Sequence, residues 1–157
     1  MVVGGPTTVL DVGGLRIVSD PTFDDPGPHG YLTKTAGPVV TEDQLGPVDL
    51  VLVSHDNHPD NLDDRGRALA LAAPLVLTAG AARVPARFRN RALSLDSVRA
   101  AAAAAILGSA MVIPAHYDGW THFSEGRDDL ARAFDDAGLT ARLHLSDHGS
   151  WIPLRAS

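Results

Sequence analysis

The stretch Val48–Leu69, VDLVLVSHDNHPDNLDDRGRAL, decides how the rest of the chain is read. Its first part, DLVLV (Asp49–Val53), is a short apolar run of the kind that forms a strand buried on both faces. From Asp60 to Ala73, alanine and leucine recur at helical spacing until Pro74 stops them. LVLT (Leu75–Thr78) then reads as the next strand, so the segment predicts a strand–loop–helix–strand unit. Between strand and helix stand His55, Asp56, Asn57, His58, Asp60 and Asn61. Ligands of α/β sheets gather at the carboxyl ends of the strands, which is where this polar loop falls. It is either a corner for a metal ion or a turn whose Asp56, Asn57 and Asp60 cap backbone amides while the histidines face solvent.

Upstream of this unit, TTVLDV and LRIVSD flank Gly13-Gly14 and predict a β-hairpin. PTFDDPGPHGYLTKTAGP, crowded with Pro, Gly and Asp, predicts a long loop. Downstream, a connector carrying Arg83, Arg87, Arg89 and Arg91 leads to a helix over about Ser97–Leu107, with Ser94 or Asp96 as its cap. AMVIPAH predicts another buried strand ending at His116. A further helix opens near Ser124 and stops at Gly138, and ARLHLS predicts a last short strand in which His144 faces away from the core. The alternation of elements argues for an α/β fold with antiparallel strands at the N-terminus.

Composition narrows the function. The chain has 157 residues, 45% apolar and 20% charged, which suits one domain with a real core. Thirteen basic against nineteen acidic residues give a formal charge of −6, unfavourable for nucleic acid or an anionic membrane as partner. Without cysteine there is no disulfide framework, no thiolate metal site and no thiol nucleophile. The opening MVVGGPTTVLDVGG lacks the features of a secretory leader, and the alanine run near Ala100–Leu107 is too short to span a bilayer, so the expected location is cytoplasmic. No G-x-S-x-G elbow, P-loop or G-x-G-x-x-G pattern is present.

Imidazole and carboxylate groups remain as the chemistry-bearing residues. His55, His58 and Asp60 could supply three ligands to zinc or manganese, and His116 a fourth from a different strand end. Tyr117, Asp118, Trp120 and His122, just beyond His116, and Asn61 are candidates for shaping a substrate pocket. Asp147 and His148 in LSDHGSW could add ligands if that loop turns inward, and His29 is a further candidate pocket residue.

SHDNHPDNLD resembles the H-x-H-x-D-H loop of the metallo-β-lactamase superfamily, in its branch of L-ascorbate-6-phosphate lactonase-like hydrolases. GGPTTVLDVGGLRIVSDPTFDDPG, LTKTAGP, LGPVDLVLVSH and IPAHYDGWTHFSEG are similar to further blocks of that branch. The resemblance implies an αββα sandwich with a mixed sheet and a metal site at the strands' carboxyl ends. It implies His55 as the loop's first histidine, Asp60 as its aspartate, which helps position the nucleophilic water, and His116 as the late histidine. Asn57 and Asn61 depart from the motif, and no histidine or Gly-Asp pair stands between His58 and His116. The chain therefore reads as one shortened domain, 1–157, with an internal deletion near Thr78–Arg83 between an N-terminal part, 1–78, and a C-terminal part, 84–157.

Two functions follow. The first is a hydrolase in which one divalent ion, zinc or manganese, held by His55, His58, Asp60 and His116, activates water against a lactone, ester, amide or phosphoester. The second is a remnant without metal, serving as a binding protein or repurposed for metal-independent chemistry. A fold that has lost strands should expose sheet edges and apolar faces, so a homodimer or higher homo-oligomer is expected.

Overall fold

The computed structural model describes residues 1–54, 58–78, 95–108 and 111–154. The basic connector with its four arginines, and with them His55, Asp56 and Asn57, lies outside the described residues. Strands β1 (Val2–Gly4), β2 (Thr7–Val12) and β3 (Leu15–Ser19) form an antiparallel meander, and β6 (Leu50–Val53) and β7 (Leu75–Thr78) continue it in parallel. The sheet order is β1-β2-β3-β6-β7, so the fold is α/β with a mixed sheet. Gly13 and Gly14 turn the β2–β3 hairpin with φ of 59° and 81°, left-handed values that glycine reaches without a Cβ clash.

Helix α2 (Asp64–Ala72) crosses from β6 to β7 and starts later than the spacing of Asp60 predicts. Asn61 and Leu62 donate their amides to the His58 carbonyl in a turn, and the Asp63 carboxylate caps the helix by accepting from Gly66 N at 2.8 Å. Gly66 admits no side chain, because a Cβ there would overlap the Pro21 carbonyl. That contact lets the helix lie against the Pro21–Phe23 corner.

The core sits on one side of the sheet. Val9, Val18 and Val51 point there with Phe23 and Leu45, the last from the single-turn helix α1 (Glu42–Leu45). Val53, Leu62 and Ala70 extend the layer. On the other side, the register aligns Leu10, Val12, Leu15, Leu52, Leu75 and Leu77, each 36–52% exposed. β6 is thus covered on one face rather than two. The second stacked sheet of an αββα sandwich would lie over these leucines, and the described residues place no such sheet there.

The Pro/Gly-rich segment forms more than a loop. β4 (Gly27–His29) and β5 (Leu32–Lys34) make a separate two-stranded hairpin, turned at Gly30 with φ 61°. In the C-terminal part, α3 (Ser97–Ile106) carries the expected Asp96 cap on Arg99 N. It packs through Ala101 and Ala104 on Leu130 and Phe134 of α4 (Arg127–Asp136). The two strands expected around 110–116 and 141–146 reduce to one parallel bridge, Val112–Leu143, beside a 3-10 turn over Thr140–Arg142. Pro114 has no amide to extend a ladder, and the 3-10 turn takes up the residues that would pair.

One buried ion pair joins these parts. Lys34 and Asp63 are 4% exposed each, with Nζ 3.1 Å from Oδ2. Asp63 also accepts the amides of Phe23, Asp24 and Gly66, and Lys34 also donates to the carbonyls of Thr22 and Asp24. Removing one partner of a buried pair leaves the other charge uncompensated. We expect Lys34→Met to destabilise the fold by about 3 kcal/mol in urea unfolding at pH 7. A loss below about 1 kcal/mol would mean that the three amides alone suffice for Asp63.

Candidate functional site

The site forms where the C-terminal half is laced onto the N-terminal sheet. His116 N donates to Gly5 O at 2.8 Å, Gly119 O accepts Thr35 N at 2.7 Å, and Thr121 N donates to Thr33 O at 3.1 Å. Trp120 bridges Lys34 of β5 and is 4% exposed, with the Lys34 ammonium 5.7 Å from its ring centre. Gly119, at φ 86°, passes within 3.6 Å of Gly5 N at the point where a Cβ would sit. His116 itself has φ 64°, a left-handed conformation unusual for a residue with a side chain. Backbone strain of this kind concentrates at functional sites, and here it turns one imidazole toward the β6–α2 loop.

Asp60 receives it. The carboxylate is 3% exposed, and its Oδ2 lies 3.2 Å from Nε2 of His116 and 3.2 Å from Nε2 of His122. His58 Nδ1 approaches Oδ1 at 3.8 Å, beyond hydrogen-bond range, and Oδ1 is buried without a hydrogen-bond partner. Burial alone would raise the Asp60 pKa. The hydrogen bond from His116 and the charges of His116 and His122 outweigh it, so the carboxyl lies below its ordinary value of 3.8. Asp60 is therefore an anion at neutral pH, hydrogen-bonded to His116 and faced by Nε2 of His122.

Aromatic rings surround the imidazoles. Phe123 meets His116 edge-on at 4.9 Å and His122 at 4.4 Å, while Tyr31 stands edge-on to His58 at 6.2 Å. Asn61, also 3% exposed, turns its amide toward Ser54 Oγ at 3.4 Å rather than toward the imidazoles. His29 is held by Asp24 at 3.5 Å and by the Asp25 carbonyl, beside Trp120.

Tyr117, Asp118, Asp147 and His148 gather with Arg127, Ser146 and Val39 around a neighbouring open pocket of about 340 Å³. His148 lies 3.4 Å from Asp118 there, and Arg127 donates to the carbonyls of Leu145 and Ser146. Burial first, then the charge of Asp118, raises the Tyr117 phenol above its usual value. Sequence reasoning grouped His55, His58, Asp60 and His116 as metal ligands, and the last three stand near one another. It gave His122 only a place on the pocket wall, whereas this residue meets Asp60 at the same distance as His116. Tyr31 and Phe123 gave no signal, since a lone aromatic in a loop is ordinary. His55 lies outside the described residues.

No family model matches the chain, and no curated protein matches it. Among solved structures, that of an isothiocyanate hydrolase from Delia radicum gut bacteria is similar, with a TM-score of 0.75 at 13% identity. The similarity covers 99% of this chain and 99% of that one. At this identity it shows a shared fold.

These findings correct the resemblance drawn from the sequence. The solved relative in fold is an isothiocyanate hydrolase, and no match supports membership of the metallo-β-lactamase superfamily. The likeness in fold runs over 99% of both chains, so relative to this neighbour no internal segment is missing. Among the described residues no group of three or more His, Cys, Asp or Glu is arranged to hold a metal ion. The short motif misled because an aspartate and histidines behind a buried strand meet the needs of many polar sites. Among the described residues no helix is long and apolar enough to cross a membrane.

The depressed Asp60 pKa has a consequence for stability. A carboxyl whose folded pKa is lowered contributes stability that is fully present above its unfolded pKa of about 3.9 and is lost as pH falls through the folded value. Asp60→Asn removes this contribution. The wild type should therefore exceed the variant in urea midpoint at pH 6, with the gap narrowing steadily as pH falls below about 4. A gap that stays constant over that range would show that Asp60 gains nothing from the imidazoles.

Proposed function

We propose that this chain is a hydrolase that adds water to an electrophilic carbon of a small molecule at the Asp60–His116–His122 cluster. The convergence of two imidazoles on one oxygen of a buried, ionised carboxylate supports the reading most directly. Asp60 orients the His116 ring through its Nε2, so that in the neutral ring with Nε2–H inward Nδ1 carries the lone pair. Such a nitrogen takes a proton from water as the oxygen attacks, and the carboxylate offsets the imidazolium that forms. The imidazolium formed in this way can return that proton to the anion that develops on the substrate.

The fold neighbour makes isothiocyanates the first substrates to test: water adds to their central carbon to give a thiocarbamic acid, whose C–N bond then breaks to leave the amine and carbonyl sulfide. Lactones, esters, amides and phosphoesters are the wider panel. We expect release of amine from an isothiocyanate by the purified protein, and a drop of about 10²-fold or more for Asp60→Asn. An unchanged rate in that variant would remove Asp60 from the reaction.

A second reading keeps a divalent ion, zinc or manganese, at the same place, and the unpartnered Oδ1 of Asp60 favours it. Asp60 and His58 would be its ligands, and its contribution would be to lower the pKa of a bound water. The described side chains do not complete such a group by themselves. Elemental analysis and a zinc titration followed by thermal unfolding separate the readings. Stoichiometric metal with a raised midpoint selects the second, and neither leaves the first.

For assembly we propose a homodimer or higher homo-oligomer that covers the exposed sheet face from Leu10 to Leu77, since apolar patches of this extent commonly mark contacts. Light scattering at micromolar concentration should return at least twice the 16.5 kDa chain mass. A monomeric mass would refute the assembly without touching the hydrolytic reading.

A further inference from the structure

The two-residue turn of the β4–β5 hairpin puts Tyr31 in an unusual position. Its side chain is 69% exposed, more than a tyrosine needs for packing, yet its ring stands edge-on to His58 at 6.2 Å. Its phenol is raised above the usual value, first by partial loss of solvent and then by the negative charge of Asp60. The hydroxyl end therefore lies within the field of the site, while most of the ring has no protein neighbour.

The backbone holds it there firmly. Gly30, at φ 61°, makes the tight turn between the paired residues His29 and Leu32. β5 in turn ends in Lys34, which is locked onto Asp63 at the start of α2. The hairpin and the loop carrying His58 and Asp60 are thus tied to the same ion pair. On the other flank of the imidazoles, Phe123 packs against His116 and His122. The site is bracketed by one covered aromatic and one exposed aromatic.

We infer that Tyr31 is a substrate-contacting, specificity-determining residue, whose open ring face receives the aromatic or alkyl substituent of the substrate while the reacting carbon sits beside the exposed edges of the imidazoles that face Asp60. This rests on the reading of the Asp60 cluster as a hydrolytic site. An exposed ring already fixed at the mouth of a site offers apolar contact at low cost in side-chain entropy. The substrate class it selects is a small neutral electrophile with an apolar arm, in preference to a short or charged one.

Benzyl and methyl isothiocyanate serve as the test pair, with wild type, Tyr31→Ala and Tyr31→Phe compared by kcat/KM. The ratio of benzyl to methyl turnover should fall about tenfold in Tyr31→Ala, mostly through KM, and should persist in Tyr31→Phe, which keeps the ring. An unchanged ratio in Tyr31→Ala overturns the inference while leaving hydrolysis intact. If the wild type turns over neither compound, the hydrolytic reading fails separately. Tyr31 is then judged by binding of the inert analogue N-benzylacetamide, followed through the ring-proton shifts of Tyr31 and His58. Binding weakened by Tyr31→Ala supports the contact, and absent or unaltered binding overturns it. Equal urea midpoints for wild type and Tyr31→Ala confirm that the comparison is between folded proteins.

Discussion

The Lys34–Asp63 ion pair is the constraint on which the rest of the site depends. Neither charge reaches solvent, and each is saturated by backbone groups as well as by the other. Its partners come from four places: the Thr22–Asp24 corner after β3, the start of α2, the end of β5, and the Trp120 ring above the ammonium. A pair of this kind contributes little net stability beside an apolar substitute of equal volume. What it supplies is geometry, because only one mutual arrangement of these segments satisfies every donor and acceptor. Asp60 precedes Asp63 by three residues and Tyr31 precedes Lys34 by three, so the pair sets the spacing between the carboxylate and the aromatic that overlooks it.

Asp60 carries the opposite physical character. It is as buried as Asp63 but incompletely satisfied, with one oxygen shared by two imidazoles and the other without a partner. Evolution rarely leaves a buried carboxylate in this state for stability alone, since an unpaired polar atom in the interior costs about 1–3 kcal/mol. The neighbouring strain at His116 points the same way. Two aspartates three residues apart thus differ in kind: one locks the scaffold, and the other is held in a charged, underbonded form.

Much of the scaffold was legible in the residues. The Gly13-Gly14 hairpin, the β6–α2–β7 unit and the Asp96 cap follow from local chemistry that tertiary contacts do not override. The Gly27–Lys34 hairpin was not legible, because Pro and Gly dominate its composition and its pairing is fixed by distant contacts to Trp120 and Asp63. DLVLV was misread as doubly buried, since an apolar run is the same whether its second face meets a protein layer or stays exposed. His58, Asp60 and His116 were legible as a cluster because each follows a strand-like run. His122 was not, because its route to Asp60 runs through the left-handed turn at His116 and the close pass of Gly119 over Gly5, and neither has a pattern in sequence. The family resemblance rested on the SHDNHPDNLD loop and on several further short blocks, and no family model supports it, while the likeness in fold over 99% of both chains is to an isothiocyanate hydrolase.

The arrangement also explains why the site falls on a seam. His58 and Asp60 belong to the loop after β6, whereas His116, His122 and Phe123 belong to the segment that laces the C-terminal helices onto β1 and β5. Neither half holds the complete set. The lacing bonds are main-chain contacts from His116, Gly119 and Thr121 to Gly5, Thr35 and Thr33, so they fix the segment's path without constraining which side chains it carries. The path is therefore a matter of fold, shared with a neighbour of 13% identity, and the chemistry is a matter of the few side chains mounted on it. In this chain those side chains are two imidazoles aimed at one carboxylate, with an exposed tyrosine on the facing hairpin.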